Sequence, residues 1–174
     1  MLHITRYSIK SESLTPLIKF LWSFESENAS INYKLLPTDC IDIILNLSSD
    51  MVYETKSERV IAPPFHINGL RADYSYISQT GRVRVMGISF YPFGLFPFVN
   101  KSLAHIQNKI VDLHTLSTIL AKKLKVVVYS GRKINEMTDH IESILCAELN
   151  SQYPHLKWGN ERLPLKGAFV TCNA

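Results

Sequence analysis

His3, His66, His105, His114, His140 and His155 are the side chains of this sequence best suited to bind a metal or carry a proton, and no two stand at ligand spacing. A strand-borne metal site would show two histidines one residue apart with a carboxylate nearby, and that pattern is absent. Cys40, Cys146 and Cys172 are odd in number and too far apart for a CxxC pair, which suits reduced, unreactive thiols. Asp39 and Asp42 bracket Ile41. In a strand they would face opposite ways, so they cap a turn at Pro37 and Thr38 as readily as they act as acid and base. No GxSxG, HExxH, GxGxxG or phosphate-loop motif occurs. The expectation is a protein that recognises and does not catalyse, with no catalytic residue, no metal and no cofactor.

Residues suited to recognition gather in one run, "VMGISFYPFGLFPFVN" at 85–100, which holds five aromatics, two prolines, two glycines and no charge. Phe90, Tyr91, Phe93, Phe96 and Phe98 are too many for one face, so some belong to a core and others are free to line a cavity. An apolar cavity needs a few polar groups to orient a ligand, and Tyr33, Asp42, Arg71 and Tyr91 could supply them. The candidate ligand residues are therefore Tyr33, Asp42, Arg71, Phe90, Tyr91 and Phe93. The plainer alternative makes all the aromatics core or turn residues.

These residues must be positioned mostly by strands. "INYKLLP" alternates Ile31, Tyr33 and Leu35 against Asn32 and Lys34, as a half-buried strand does. "CIDIILNLSSD" is almost continuously apolar, which suits a strand buried on both faces. "MVYETKS" and "RVIAPPFHINGL" follow, the second interrupted by Pro63 and Pro64 at an edge or crossing. In "GRVRVMGISFYP" the apolar phase slips, from Val83 and Val85 to Met86, Ile88 and Phe90. Either a bulge near Gly87 re-aims the side chains or the far half of the strand is buried on both faces.

After Pro92 the pattern turns helical. "STILAKKLKVVVY" places Leu120, Leu124, Val127 and Val128 on one stripe. From Arg132, Ile134, Met137, Ile141, Ile144, Leu145 and Leu149 recur at steps of three and four. This stripe is regular enough either to pack on the sheet or to meet a partner, and Ile134, Met137, Ile141, Ile144 and Leu145 are the candidate dimer or docking residues. Lys122, Lys123, Lys125, Arg132 and Lys133 read as the solvated face of a helix. The expected organisation is a β-rich domain over 1–115, a helical linker or dimerisation segment over 116–150, and an irregular tail over 151–174. The fold class is α+β, a sandwich or small barrel followed by C-terminal helices.

The chain has 174 residues, 46% hydrophobic and 20% charged, the composition of an ordinary globular protein. Its net charge of +4 is spread along the chain, which is compatible with nucleic acid but insufficient for it. "PLIKFLWSF" is too short for a membrane span and contains Lys19. A cytoplasmic protein that does not enter membranes is expected.

Two blocks resemble a known family. "LLPTDCIDIILNLS" is similar to a proline–aspartate–hydrophobic strand motif, and "HINGLRADYSYISQTGRVRVMGISFYPFGLFPFVN…VDL" is similar to its partner, in the N-terminal domain of a bacterial subgroup of AraC-type transcriptional regulators. The most specific part is "GISFYPFGLFPF", through Gly87, Phe90, Pro92 and Gly94, and the "NGLR" turn at 68–71 also fits. The resemblance covers roughly residues 14–115. It implies a cupin-like regulatory domain that senses an unidentified small-molecule effector and forms a homodimer. In that family two helix-turn-helix units of about 100 residues read DNA, and nothing after Leu149 resembles them. DNA contact is thus implied only through a helix-turn-helix domain absent from this sequence. An interaction module without a ligand is the alternative, and a cupin-like enzyme a weaker one.

Overall fold

Alternating apolar residues create two long strands that carry the rest of the sheet. A computed structural model describes residues 4–56, 58–99 and 101–154. Its strands are β1 (Thr5–Tyr7), β2 (Ile18–Leu35), β3 (Ile41–Asn46), β4 (Val52–Glu54), β5 (Arg59–Ile61), β6 (Phe65–Asn68), β7 (Ser75–Phe90) and β8 (Ile110–Asp112). The helices are α1 (Phe96–Val99), α2 (Leu113–Leu116), α3 (Thr118–Val128) and α4 (Ile134–Gln152), with a 3-10 turn at Ala104–Ile106. The eight strands of the described residues form one antiparallel sheet, six of them in the order β1-β2-β7-β3-β6-β8, with β4 pairing β7 and β5 off this path. β7 pairs with β2 along nearly its whole length, while β3 flanks the second half of β7 and β4 the first. The expected α+β class is what is found, with an open sheet and not a closed barrel.

Each face of the sheet carries its own apolar cluster. Ile41, Ile43 and Leu45 of β3 and Met86, Ile88 and Phe90 of β7 face the helices, where Leu124, Met137, Ile141 and Leu145 cover them. Ile44, Val83 and Val85 point the other way, into a second cluster with Tyr53, Met51 and the half-buried Trp22. This arrangement settles the phase slip in β7. Register runs without interruption through Gly87 against both β2 and β3, so no bulge is present there. The far half of β7 is buried on both faces instead. Irregularities occur in the β2–β7 ladder at Ile18/Phe20 and at Ser26/Ala29. Gly87 has a different role: a Cβ at that position would lie 2.0 Å from Cε2 of the Trp22 indole.

The apolar run at 85–100 is mainly core. Phe90 and Phe98 are fully buried, with ring centroids 5.6 Å apart. Tyr91, Phe93 and Phe96 lie on the exposed side of the turn. Gly94 lets that turn press on the start of β2, because a Cβ there would meet the Leu17 carbonyl oxygen at 1.9 Å. Tyr91 N–H donates to the same carbonyl at 3.0 Å.

α3 begins at Ser117, whose side chain caps it by accepting from Leu120 N–H. The predicted stripe of Leu120, Leu124, Val127 and Val128 is buried as a unit. On α4, Met137, Ile141, Leu145 and Leu149 are buried in the helix-side core, and Ile134 and Ile144 pack at its margin. Of the residues offered as a dimer or docking face, Met137, Ile141 and Leu145 are thus taken up by this chain's own core, and Ile134 and Ile144 lie half-buried at its edge. α4 also holds the beginning of the chain. Glu142, itself buried, accepts from the backbone N–H groups of Lys10 and Ser11, both at 3.0 Å. Lys10 Nζ pairs with Asp139 one turn earlier.

Candidate functional site

The short strands β4 and β6 bring together polar groups that lie far apart in sequence. Tyr53 points from β4 into the second core, and His66 and Asn68 point toward it from β6. His66 Nδ1 lies 2.7 Å from the Pro63 carbonyl, which can only accept, so this nitrogen carries the proton. Nε2 is then an acceptor, and of the two acceptors 3.1 Å from the Tyr53 hydroxyl, this nitrogen and the Met51 sulfur, the nitrogen is the stronger and takes the proton. Asn68 Nδ2 donates to the Tyr53 oxygen at 3.0 Å. The chain Asn68–Tyr53–His66–Pro63 thus has one direction throughout, which also fixes the Asn68 amide with Oδ1 pointing away. That oxygen is buried and has no hydrogen-bond partner, and Asn68 as a whole is 6% exposed.

Burial pushes the Tyr53 phenol well above its ordinary value, so it stays protonated. Burial likewise pushes His66 down to about 4, against a modest opposing pull from the Pro63 carbonyl and Asp112. His66 is neutral in the folded protein and protonates more readily once unfolded. Stability should therefore fall as pH drops from about 6.5 toward about 4, by up to ~3 kcal/mol. Chemical denaturation at pH 7 and pH 5 checks this, with His66→Gln as reference; the loss should be smaller in the variant, which has no group to protonate.

Asn68 opens onto a cleft of about 210 Å³, lined also by Tyr53, Gly69, Arg71, Asp73 and Tyr74. Its wall consists of two loops pressed together. A Cβ on Gly69 would lie 1.8 Å from the Ile106 carbonyl oxygen, and Gly69 N–H donates to Lys109 O at 3.1 Å. Asn108, with φ of 56° in the left-handed region, accepts from Ala72 N–H through Oδ1 at 2.8 Å. Arg71 is held at both ends: its carbonyl accepts from Thr38 N–H at 3.1 Å, and its Nε donates to Leu36 O at 3.3 Å. At the rim Lys56 pairs with Asp73 at 2.9 Å. Lys34 lies 4.0 Å above the Tyr74 ring.

Of the residues proposed from sequence, Arg71 alone lines this cleft. Asp42 lies next to it on the same face, opposite Asn68 and Ser89 in the ladders, and accepts from Ser89 Oγ. Its carboxyl is raised above the usual range by burial, with Ser89, Arg71 and Lys19 acting against that. Tyr33 is 44% exposed on β2, two strands from Tyr53, and does not line the cleft. Phe90 is corrected to the helix-side core, and Tyr91 and Phe93 to the outer turn. Sequence reading missed Tyr53, and it noted Asn68 only as part of a turn. Among the described residues no three His, Cys, Asp or Glu side chains gather as a metal would need, and no helix is long and apolar enough to cross a membrane.

The sequence model of a family described as Domain of unknown function (DUF6597) matches residues 10–112, more than half of the chain. The chain belongs to this family. The DUF6597 match contains every residue that lines the cleft and stops before α2. No curated protein sequence matches the chain. Among solved structures, this DUF6597 member is similar to the AraC-like transcriptional activator CuxR, with 16% identity and a TM-score of 0.48 over 97% of this chain and 66% of that one. It is also similar to the ethanolamine utilization protein EutQ of Salmonella typhimurium LT2, with 12% identity and a TM-score of 0.37. EutQ of Clostridium difficile gives 9% identity and a TM-score of 0.36. In both EutQ comparisons 51% of this chain and 68% of the other are covered.

Proposed function

We propose that this chain is the small-molecule-sensing part of a bacterial transcription regulator of AraC type, with its binding site in the cleft beside Asn68. One observation carries the reading. Asn68 Oδ1 is a buried acceptor without a partner, and such a group costs about 1–3 kcal/mol unless something satisfies it. Asn68 and the anchored Arg71 both line the cleft, so a ligand whose donor reaches the covered oxygen as it binds recovers that cost. The sequence blocks around Gly87, Pro92 and Gly94 support the regulator class, and DNA contact belongs to a helix-turn-helix domain elsewhere.

Thermal melts of the purified chain against a broad metabolite set test the proposal. A compound that binds only the folded state adds about 2.7 kcal/mol at one hundred times its Kd, a rise of several degrees for a chain of this size. At least one compound should produce such a rise in wild type and lose it in Asn68→Ser, with circular dichroism confirming that the variant folds. A screen with no stabilising compound, or one whose effect survives in both Asn68→Ser and Arg71→Ala, would rule out sensing at this cleft.

A further inference from the structure

We infer that the cleft takes a small organic anion that also carries a hydroxyl or N–H donor; this rests on the sensing reading above. The charged side chains at its walls are Lys56, Arg71, Lys109 and Asp73. Lys56 and Asp73 satisfy each other, which leaves Arg71 and Lys109 as the cations facing the space. Arg71 is anchored through Nε and its own carbonyl, so its two terminal nitrogens, with no hydrogen-bond partner among the described residues, form a preset fork. That geometry matches two oxygens of a carboxylate or phosphate. Asp42 feels the Arg71 charge, but it is bonded to Ser89 and does not line the cleft.

Asn68 Oδ1 adds a second requirement. It can only accept, and an ionised carboxylate has no proton to give, so the same molecule must present a donor on its other side. A neutral polyol would satisfy Asn68 and leave the arginine fork unpaired. An amine would satisfy Asn68 but meet two cations. The cleft, at about 210 Å³, is smaller than the ~300–1,000 Å³ that holds drug-sized compounds, which limits the ligand to a small metabolite. Hydroxy acids, N-acyl amino acids and small sugar phosphates meet all of these conditions.

The test is a chemically sorted panel on the full chain, read by thermal melts and then by calorimetric titration. Lactate, 4-hydroxybenzoate, N-acetylglycine and glycerol 3-phosphate form the first group. Acetate and benzoate lack the donor, glycerol, glucose and 4-hydroxybenzyl alcohol lack the charge, and choline and putrescine reverse it. Stabilisation is expected from members of the first group, with affinity falling about tenfold or more in Arg71→Ala, as loss of a charged hydrogen bond implies. Arg71→Lys, which keeps the charge without the fork, should fall between; carboxylates and phosphates within the group identify which anion the fork prefers. Strongest binding by neutral or cationic compounds, or anion binding indifferent to Arg71→Ala, ends this inference and leaves the sensing reading standing. Silence from the first group also ends it, and if the broad metabolite screen is silent too, sensing falls with it.

Discussion

Met137→Glu is expected to yield no folded protein. Met137 is fully buried in the cluster between α4 and the sheet, and losing its side chain alone costs about 2–5 kcal/mol. A carboxylate in that place must either stay charged without a partner or bind a proton, which adds several kcal/mol more. Together these approach the whole stability of a typical domain, about 5–15 kcal/mol. The variant should be insoluble or lack a cooperative melt by circular dichroism. Val126→Glu is the matched control: Val126 is 73% exposed on α3, and a charge there should change stability by no more than about 0.5 kcal/mol. A folded, monomeric Met137→Glu beside a dimeric wild type would show that the stripe faces a partner after all.

The second large effect is expected at Gly87. By residue preference alone, valine in a strand should be an improvement, within a scale of about 1 kcal/mol. Geometry opposes this more strongly. The first carbon of any side chain would sit 2.0 Å from Cε2 and 2.3 Å from Cζ2 and Nε1 of Trp22. The indole is rigid and lies across the ladder, directly opposite Gly87, so it must leave its place against the second core cluster. The expected cost of Gly87→Val is of order 3 kcal/mol, in the range of overpacked or emptied core sites, read as a lower urea midpoint. Pairing it with Trp22→Ala gives the decisive comparison. The double variant should be clearly more stable than the sum of the two single changes predicts; additivity within about 0.5 kcal/mol would mean that the indole is not what requires glycine.

The contrast between Gly87 and α4 shows what a single sequence reveals. Periodicity identified α4 and the stripe on α3, because each is a local pattern repeated several times, and an unbroken apolar run identified the doubly buried β3. Periodicity showed that Met137, Ile141 and Leu145 share a face, but a stripe of this kind looks the same whether a sheet or a second subunit covers it. The slip near Gly87 was visible as well, and burial of both faces was one of its two readings, yet the reason for the glycine itself lies 65 positions earlier, at Trp22. The site was less legible still. Tyr53, His66 and Asn68 have no shared spacing; they meet only because β4 and β6 border the same core, and Asn68 gains its role from an unpaired oxygen that no alphabet of residues records. Arg71 was found only as one of the few polar groups that an apolar pocket would need. Phe90 was misplaced because aromatic content alone does not say which face of a strand a ring occupies.

The grip of Glu142 on Lys10 and Ser11 has a consequence for how the protein is made. Ribosomal synthesis is vectorial, and these two backbone amides emerge more than 130 residues before the carboxylate that satisfies them. At about 5–20 residues per second, they wait on the order of ten seconds, and during that time the helix-facing side of the nascent sheet, with Ile43, Ile88 and Phe90, has no cover. The stretch shared with the family ends at residue 112, before any of α2–α4 exists. The matched stretch is therefore made in full well before Glu142, the carboxylate that holds its first two residues, leaves the ribosome.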